Sequence, residues 1–167
     1  MNVTVLRLSM AILLAATAVA SPTSAATIKL KADLKASNEV PPNNSKGSGS
    51  VDLTFDEATK KLTWKGTYKD LTGPPIGAHF HGPAQSGKNA GILVPIFVVP
   101  KTPSPFEGSA TLTDEQVGYL NAGMLYVNIH TDANKAGELR GQVTKYEGRL
   151  VDALGERSAI DGCACKS

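Results

Sequence analysis

The chain of 167 residues has little of what usually announces a chemistry. Its two cysteines, Cys163 and Cys165, both lie in the last five residues, so no disulfide framework ties the interior together. Aromatic residues make up 5% of the chain, against 16 glycines and 10 prolines, a balance that suits short strands and many turns. No block of basic residues occurs, and 17 Lys and Arg stand against 15 Asp and Glu. A nucleic-acid or anionic-membrane partner is therefore not expected. The chain contains no G-x-S-x-G elbow and no Cys/His arrangement within the fold. It also lacks a glycine-rich phosphate loop between a strand and a helix. A pair of carboxylates for glycoside hydrolysis is left open, because any two acids can meet in a fold. No catalytic residue and no organic cofactor is assigned.

A membrane-spanning run is absent too. The longest apolar stretch without charge runs from Leu8 to Ala20, about 13 residues where roughly 20 are needed to cross a bilayer. Arg7 precedes it, and small residues follow, with cleavage sites at Ser24-Ala25-Ala26 or Ala18-Val19-Ala20. This is the layout of a secretory signal peptide over residues 1–26. The mature protein is expected to be near neutral, periplasmic or secreted, with no transmembrane anchor after cleavage. Residues 27–146 then form one domain large enough for a core. Residues 147–167 form a tail that ends in the Cys-x-Cys pair.

What is abundant is alternation of period two. Ile28, Leu30, Ala32 and Leu34 share one face of a strand, and Val51, Leu53 and Phe55 share one face of the next. Leu62, Trp64, Gly66 and Tyr68 follow after the short polar turn DEATKK, which predicts a hairpin. IGAHFH turns Ile76, Ala78 and Phe80 inward against His79 and His81. GILVPIFVVP is continuously apolar, and Pro95 within it cannot donate to a ladder, which predicts an edge strand or a bulge. FEGSATLT, MLYVNIH and ELRGQV complete about eight strands. TDEQVGYLNAG breaks the pattern: Thr113 and Gln116 form a capping box, Val117 and Leu120 share a helical face, and Gly123 supplies a stop. The expected fold is all-β, an antiparallel Greek-key β-sandwich or closely related barrel with one short crossover helix.

Three histidines carry the functional question. His79 and His81, two apart on a strand, project from one face with backbones about 6.6 Å apart. His130 lies on the outward face of the YVNIHT strand. If the strands are neighbours, the three imidazoles converge, and neutral imidazole suits copper or zinc. The competing expectation is a polar network of hydrogen-bonded histidines with no ion. Asp132, Asn134 and Glu138 offer oxygen ligands for Ca²⁺, but without EF-hand spacing they fit a turn better. Glu138 and Arg140, two apart, are expected to pair with cross-strand neighbours. Cys163 and Cys165 are a secondary candidate for soft-metal chelation or an intermolecular disulfide.

SNEVPP, GAHFHGPA, GYLNAGMLYVNIHT and GELRGQV, in that order, resemble the chordin-type (CHRD) domain. The resemblance covers Thr27 to about Lys145, and is closest to the single-domain exported proteins of microbes. It implies an immunoglobulin-like sandwich and no established activity. Chordin's growth-factor antagonism belongs to cysteine-rich repeats that are missing here. A looser similarity links the H-x-H strand pair to the copper site of Cu/Zn superoxide dismutase, with His130 as a third ligand. That enzyme's site needs more histidines than this chain has, and its intrasheet disulfide is missing, so dismutation does not follow. The expected function is a non-enzymatic binding or structural module acting on an envelope or extracellular protein partner. The alternative is a copper- or zinc-binding protein that uses His79, His81 and His130.

Overall fold

A computed structural model describes residues 26–98 and 104–146. Nine strands and one α-helix follow in order: β1 (Thr27–Lys35), β2 (Ser48–Asp56), β3 (Lys61–Lys69), β4 (Pro75–His81), β5 (Ile92–Val98), β6 (Phe106–Thr111), α1 (Asp114–Asn121), β7 (Tyr126–Thr131), β8 (Leu139–Gln142) and β9 (Thr144–Lys145). All pairings are antiparallel. The hydrogen-bonded path runs β5-β4-β7-β8-β1-β2-β3-β6, with β9 also on β1. At its two ends Phe97 of β5 meets Phe106 of β6 edge to face, centroids 5.4 Å apart, so the sheet curls nearly into a barrel.

Alternation decides which side of each strand faces inward. Leu30, Ala32 and Leu34 of β1 are buried, as are Val51, Leu53 and Phe55 of β2. Leu62 and Trp64 of β3 and Ala78 and Phe80 of β4 join them, with Trp64 edge-on to Phe80 at 5.1 Å. The β2–β3 hairpin is closed by Asp56, whose carboxylate accepts from the Thr59 amide and hydroxyl. Pro95 sits, as expected, in an edge strand of the path, next to a register shift. The capping box at α1 is complete: the Gln116 amide donates to the Thr113 hydroxyl, and the Gln116 side chain accepts from the Thr113 amide. Leu120 then anchors the helix in the core. No helix among the described residues is long and apolar enough to cross a membrane.

The outer face of β4, β7 and β8 departs from simple alternation. Residues expected to meet solvent there are largely buried: His81, Tyr126, Asn128 and Arg140 are each less than a tenth exposed. Segments 36–47, 82–91 and 132–138 fold back over this face, pinned by side chains that bond remote backbone. Asn38 donates to the Arg140 carbonyl, Asn43 to the Glu138 carbonyl and Asn89 to the Val40 carbonyl. The barrel thus carries a second, polar interior on its outside.

Candidate metal centre

β4 and β7 are neighbours, with His79 opposite Asn128 and Gly77 opposite His130. That register brings all three histidines together. The ring centroids are 5.8 Å apart for His79 and His81, 5.2 Å for His79 and His130, and 5.8 Å for His81 and His130. One ring nitrogen of each lies within 4.8 Å of the others. Gly77 matters to this packing, since a Cβ there would stand 3.2 Å from Cε1 of the His79 ring.

Two of the rings have a fixed tautomer. Nδ1 of His81 lies 3.0 Å from the Ala90 carbonyl, and Nδ1 of His130 lies 3.0 Å from the Lys135 carbonyl. A carbonyl oxygen only accepts, so each Nδ1 carries the proton and each Nε2 keeps its lone pair. Both of those Nε2 atoms, and Nδ1 of His79, are buried with no hydrogen-bond partner. An unpaired buried polar atom costs about 1–3 kcal/mol, so three at one spot are a strong sign of a missing partner. Burial lowers the pKa of every one of the three imidazoles, and the neighbouring histidines lower those of His79 and His130 further. The backbone hydrogen bonds of His81 and His130 oppose the shift without cancelling it. The rings are therefore held neutral, the form that ligates.

Two buried charged residues, two apart in the chain, hold the loops that set those tautomers. Glu138 is fully buried, and its carboxylate accepts from the hydroxyls of Ser45, Thr72 and Thr131, the Thr72 amide and the Asn134 side chain. Burial alone would raise its pKa, but these donors outweigh it and hold the carboxyl at about 2. The clasp ties down the turn from Thr131 to Gly137, which carries the Lys135 carbonyl. Arg140 lies over the Tyr126 ring, 3.5 Å from its centroid, and donates to the Asn89 side chain and the Lys88 carbonyl. This fixes segment 82–91, which carries the Ala90 carbonyl. Tyr126 donates to that same carbonyl and stacks on His81, centroids 5.0 Å apart and rings 10° from parallel. Because β4 and β8 flank β7, the Tyr126 ring is sandwiched between imidazole and guanidinium.

Glu138 does meet a cross-strand neighbour, Thr131 of β7, whereas the side chain of Arg140 reaches the 82–91 segment, and among the described residues neither forms an ion pair. Each bonds to neutral groups and anchors a loop. Asp132 is exposed, and the oxygens of Glu138 are taken by their donors, so a calcium site at this turn has no free ligand set. Cys163, Cys165 and all but the last residue of the 1–26 segment read as a leader lie outside the described residues.

Glu39 and Asn128 went unnoticed in the sequence. Glu39 is 5% exposed, its Oε2 accepts from Asn128 at 3.3 Å, and its Oε1 and the Asn128 Oδ1 have no partner. Burial raises the Glu39 pKa to about 7, although Arg140, Asn128 and the Val40 amide pull it down. A protonated Glu39 turns Oε1 into a donor and matches it to the Asn128 acceptor. Both side chains crowd Gly137, which has φ +142°; a Cβ there would stand 2.5 Å from Asn128 Oδ1 and 2.7 Å from Glu39 Oε1. No local signal in the SNEVPP segment marks Glu39 for burial, because its cover comes from residues about ninety positions downstream.

The class of protein follows from a nearly closed antiparallel barrel bearing a buried histidine cluster on its outer face. The CHRD domain family model matches residues 30–143, and the chain belongs to that family. No curated protein and no solved structure matches it significantly.

Proposed function

We propose that this CHRD-domain protein binds a first-row transition-metal ion, copper or zinc, through His79, His81 and His130. One observation carries the reading: three buried ring nitrogens without partners, on imidazoles kept neutral and converging on one another. Three donors sharing one ion at about 2.0–2.1 Å stand about 3.3–3.6 Å apart, so nitrogens that lie within 4.8 Å of one another draw together by at most about 1.5 Å, a movement that rotation of the side chains supplies. Backbone carbonyls on Nδ1 of His81 and His130 are the outer support that metal-bound imidazoles commonly have. The role is binding rather than turnover, and it is exercised after export, in the periplasm or outside the cell. Residues 1–26 serve as the leader, 27–146 as the working domain and 147–167 as a tail. The same proposal takes the fold as an immunoglobulin-like Greek key. The return of β7 to lie beside β4, outside the β4–β5 hairpin, supports that connectivity.

Elemental analysis of protein purified without a polyhistidine tag tests the reading. About one Cu or Zn per chain is expected, with a higher melting temperature on adding either ion and loss of both effects in a His79→Ala/His81→Ala variant. Protein that is metal-free and shows no thermal shift with either ion refutes it.

A further inference from the structure

Resting on this metal-binding reading, we propose that the bound ion keeps one coordination position open to solvent, and that a small inorganic anion takes it in place of water. The donor count points there first. Among the described residues no Cys, Asp or Glu joins the three histidines in the converging group. Structural zinc sites are closed by four protein ligands, whereas three ligands leave a place for solvent or an exogenous group. Exposure points the same way. His81 is backed by Tyr126 and is 8% exposed, while His79 and His130 are half-buried with their unpartnered nitrogens covered, so the approach to the cluster runs along those two rings.

Charge selects the class of ligand. Arg140 is 2% exposed, its hydrogen bonds go to a neutral amide and a backbone carbonyl, and no ion pair of it is found among the described residues. Its positive charge reaches both His81 and Glu39. Glu39, the buried carboxyl that feels it, ionises only near pH 7 and so offsets it incompletely. A divalent ion on His81, separated from this guanidinium by the Tyr126 ring, makes a region of net positive charge in a medium where Coulomb interactions are weakly screened. An anion at the open position compensates that charge, and a neutral ligand does not.

The apo protein loaded with Cu(II) provides the test, with azide as the probe anion. Elemental analysis first counts the ion. Azide is then titrated while absorption and water-proton relaxation are recorded. The expected result is a new charge-transfer band that saturates at one azide per ion. Bulk-water relaxation should fall as the exchangeable water leaves. Arg140→Gln, which also loosens the segment carrying the Ala90 carbonyl, is loaded with Cu(II) to one ion per chain before titration. It should then bind azide about tenfold more weakly, the scale of one buried charge about 10 Å away at an effective dielectric near that of protein interiors. Trp64 fluorescence reports whether that variant folds, and the wild-type titration decides the open position without it. Stoichiometric copper with no exchangeable water and no azide band overturns this proposal and leaves metal binding standing. A folded Arg140→Gln with unchanged azide affinity overturns the role given to the charge. Failure to hold copper at all overturns both.

Discussion

Replacing Glu39 by Gln tests the polar interior at its most exacting point. The folded protein holds this carboxyl protonated to about pH 7, whereas an unfolded chain releases the proton near 4.5. Between those values the native state binds more protons than the unfolded state, so stability from this group falls as pH rises. The difference of about 2.5 units corresponds to about 3 kcal/mol, present in full below 4.5 and lost by the time pH passes 7. Glutamine has the shape of the protonated acid, can donate to Asn128 Oδ1, and never ionises. The three histidines work in the opposite direction: their lowered pKa values give stability above pH 6.5 that is lost on acidification. Subtracting the wild-type profile from that of Glu39→Gln cancels the histidine contribution. Urea unfolding of metal-free protein, followed by the fluorescence of Trp64, the chain's one tryptophan and 3% exposed, gives both profiles. The difference should be constant below 4.5 and grow by about 3 kcal/mol in favour of Gln by pH values above 7. Parallel profiles, or a variant that loses ground as pH rises, would show that Glu39 is ionised in its niche.

The remaining predictions concern the loop clasps. Glu138→Gln removes a fully buried carboxylate held at about 2 by its donors and should cost about 3 kcal/mol at neutral pH, measured by urea unfolding. In the wild type this contribution is full above 4.5 and lost as pH falls toward 2, so the penalty of the variant should shrink in acid. Since the clasp fixes the Lys135 carbonyl that orients His130, the same variant should bind metal at least about tenfold more weakly by competition with a chelator. Gly137→Ala places a Cβ against Asn128 and Glu39 at positive φ and should destabilise the fold by about 1–3 kcal/mol in the same unfolding assay.

Much of the barrel is legible in the residue order because its causes are local. Alternation in β1, β2 and β3 sorts core from solvent, and the Thr113–Gln116 box marks where α1 begins. The inward set on β4 and β7, Ala78, Phe80, Val127 and Ile129, was equally readable, and with it the shared outward face of the histidines. The same alternation could not foresee that this outward face is covered. The cover is made by contacts such as Asn38 to the Arg140 carbonyl and Asn43 to the Glu138 carbonyl, which join residues about a hundred positions apart. Arg140 and Glu138 looked like strand-surface charges for this reason. Their burial follows from loops whose path no local periodicity encodes. The closing of the sheet was likewise open between sandwich and barrel, since it depends on β5 meeting β6 through Phe97 and Phe106.

On β4, adjacent residues serve unrelated ends: Ala78 and Phe80 hold the interior, while His79 and His81 face the polar cover. A substitution at either histidine leaves every core contact of its neighbours in place. One stretch of backbone thus carries two separable duties, and the residues that line the outer face can change without touching those that hold the barrel.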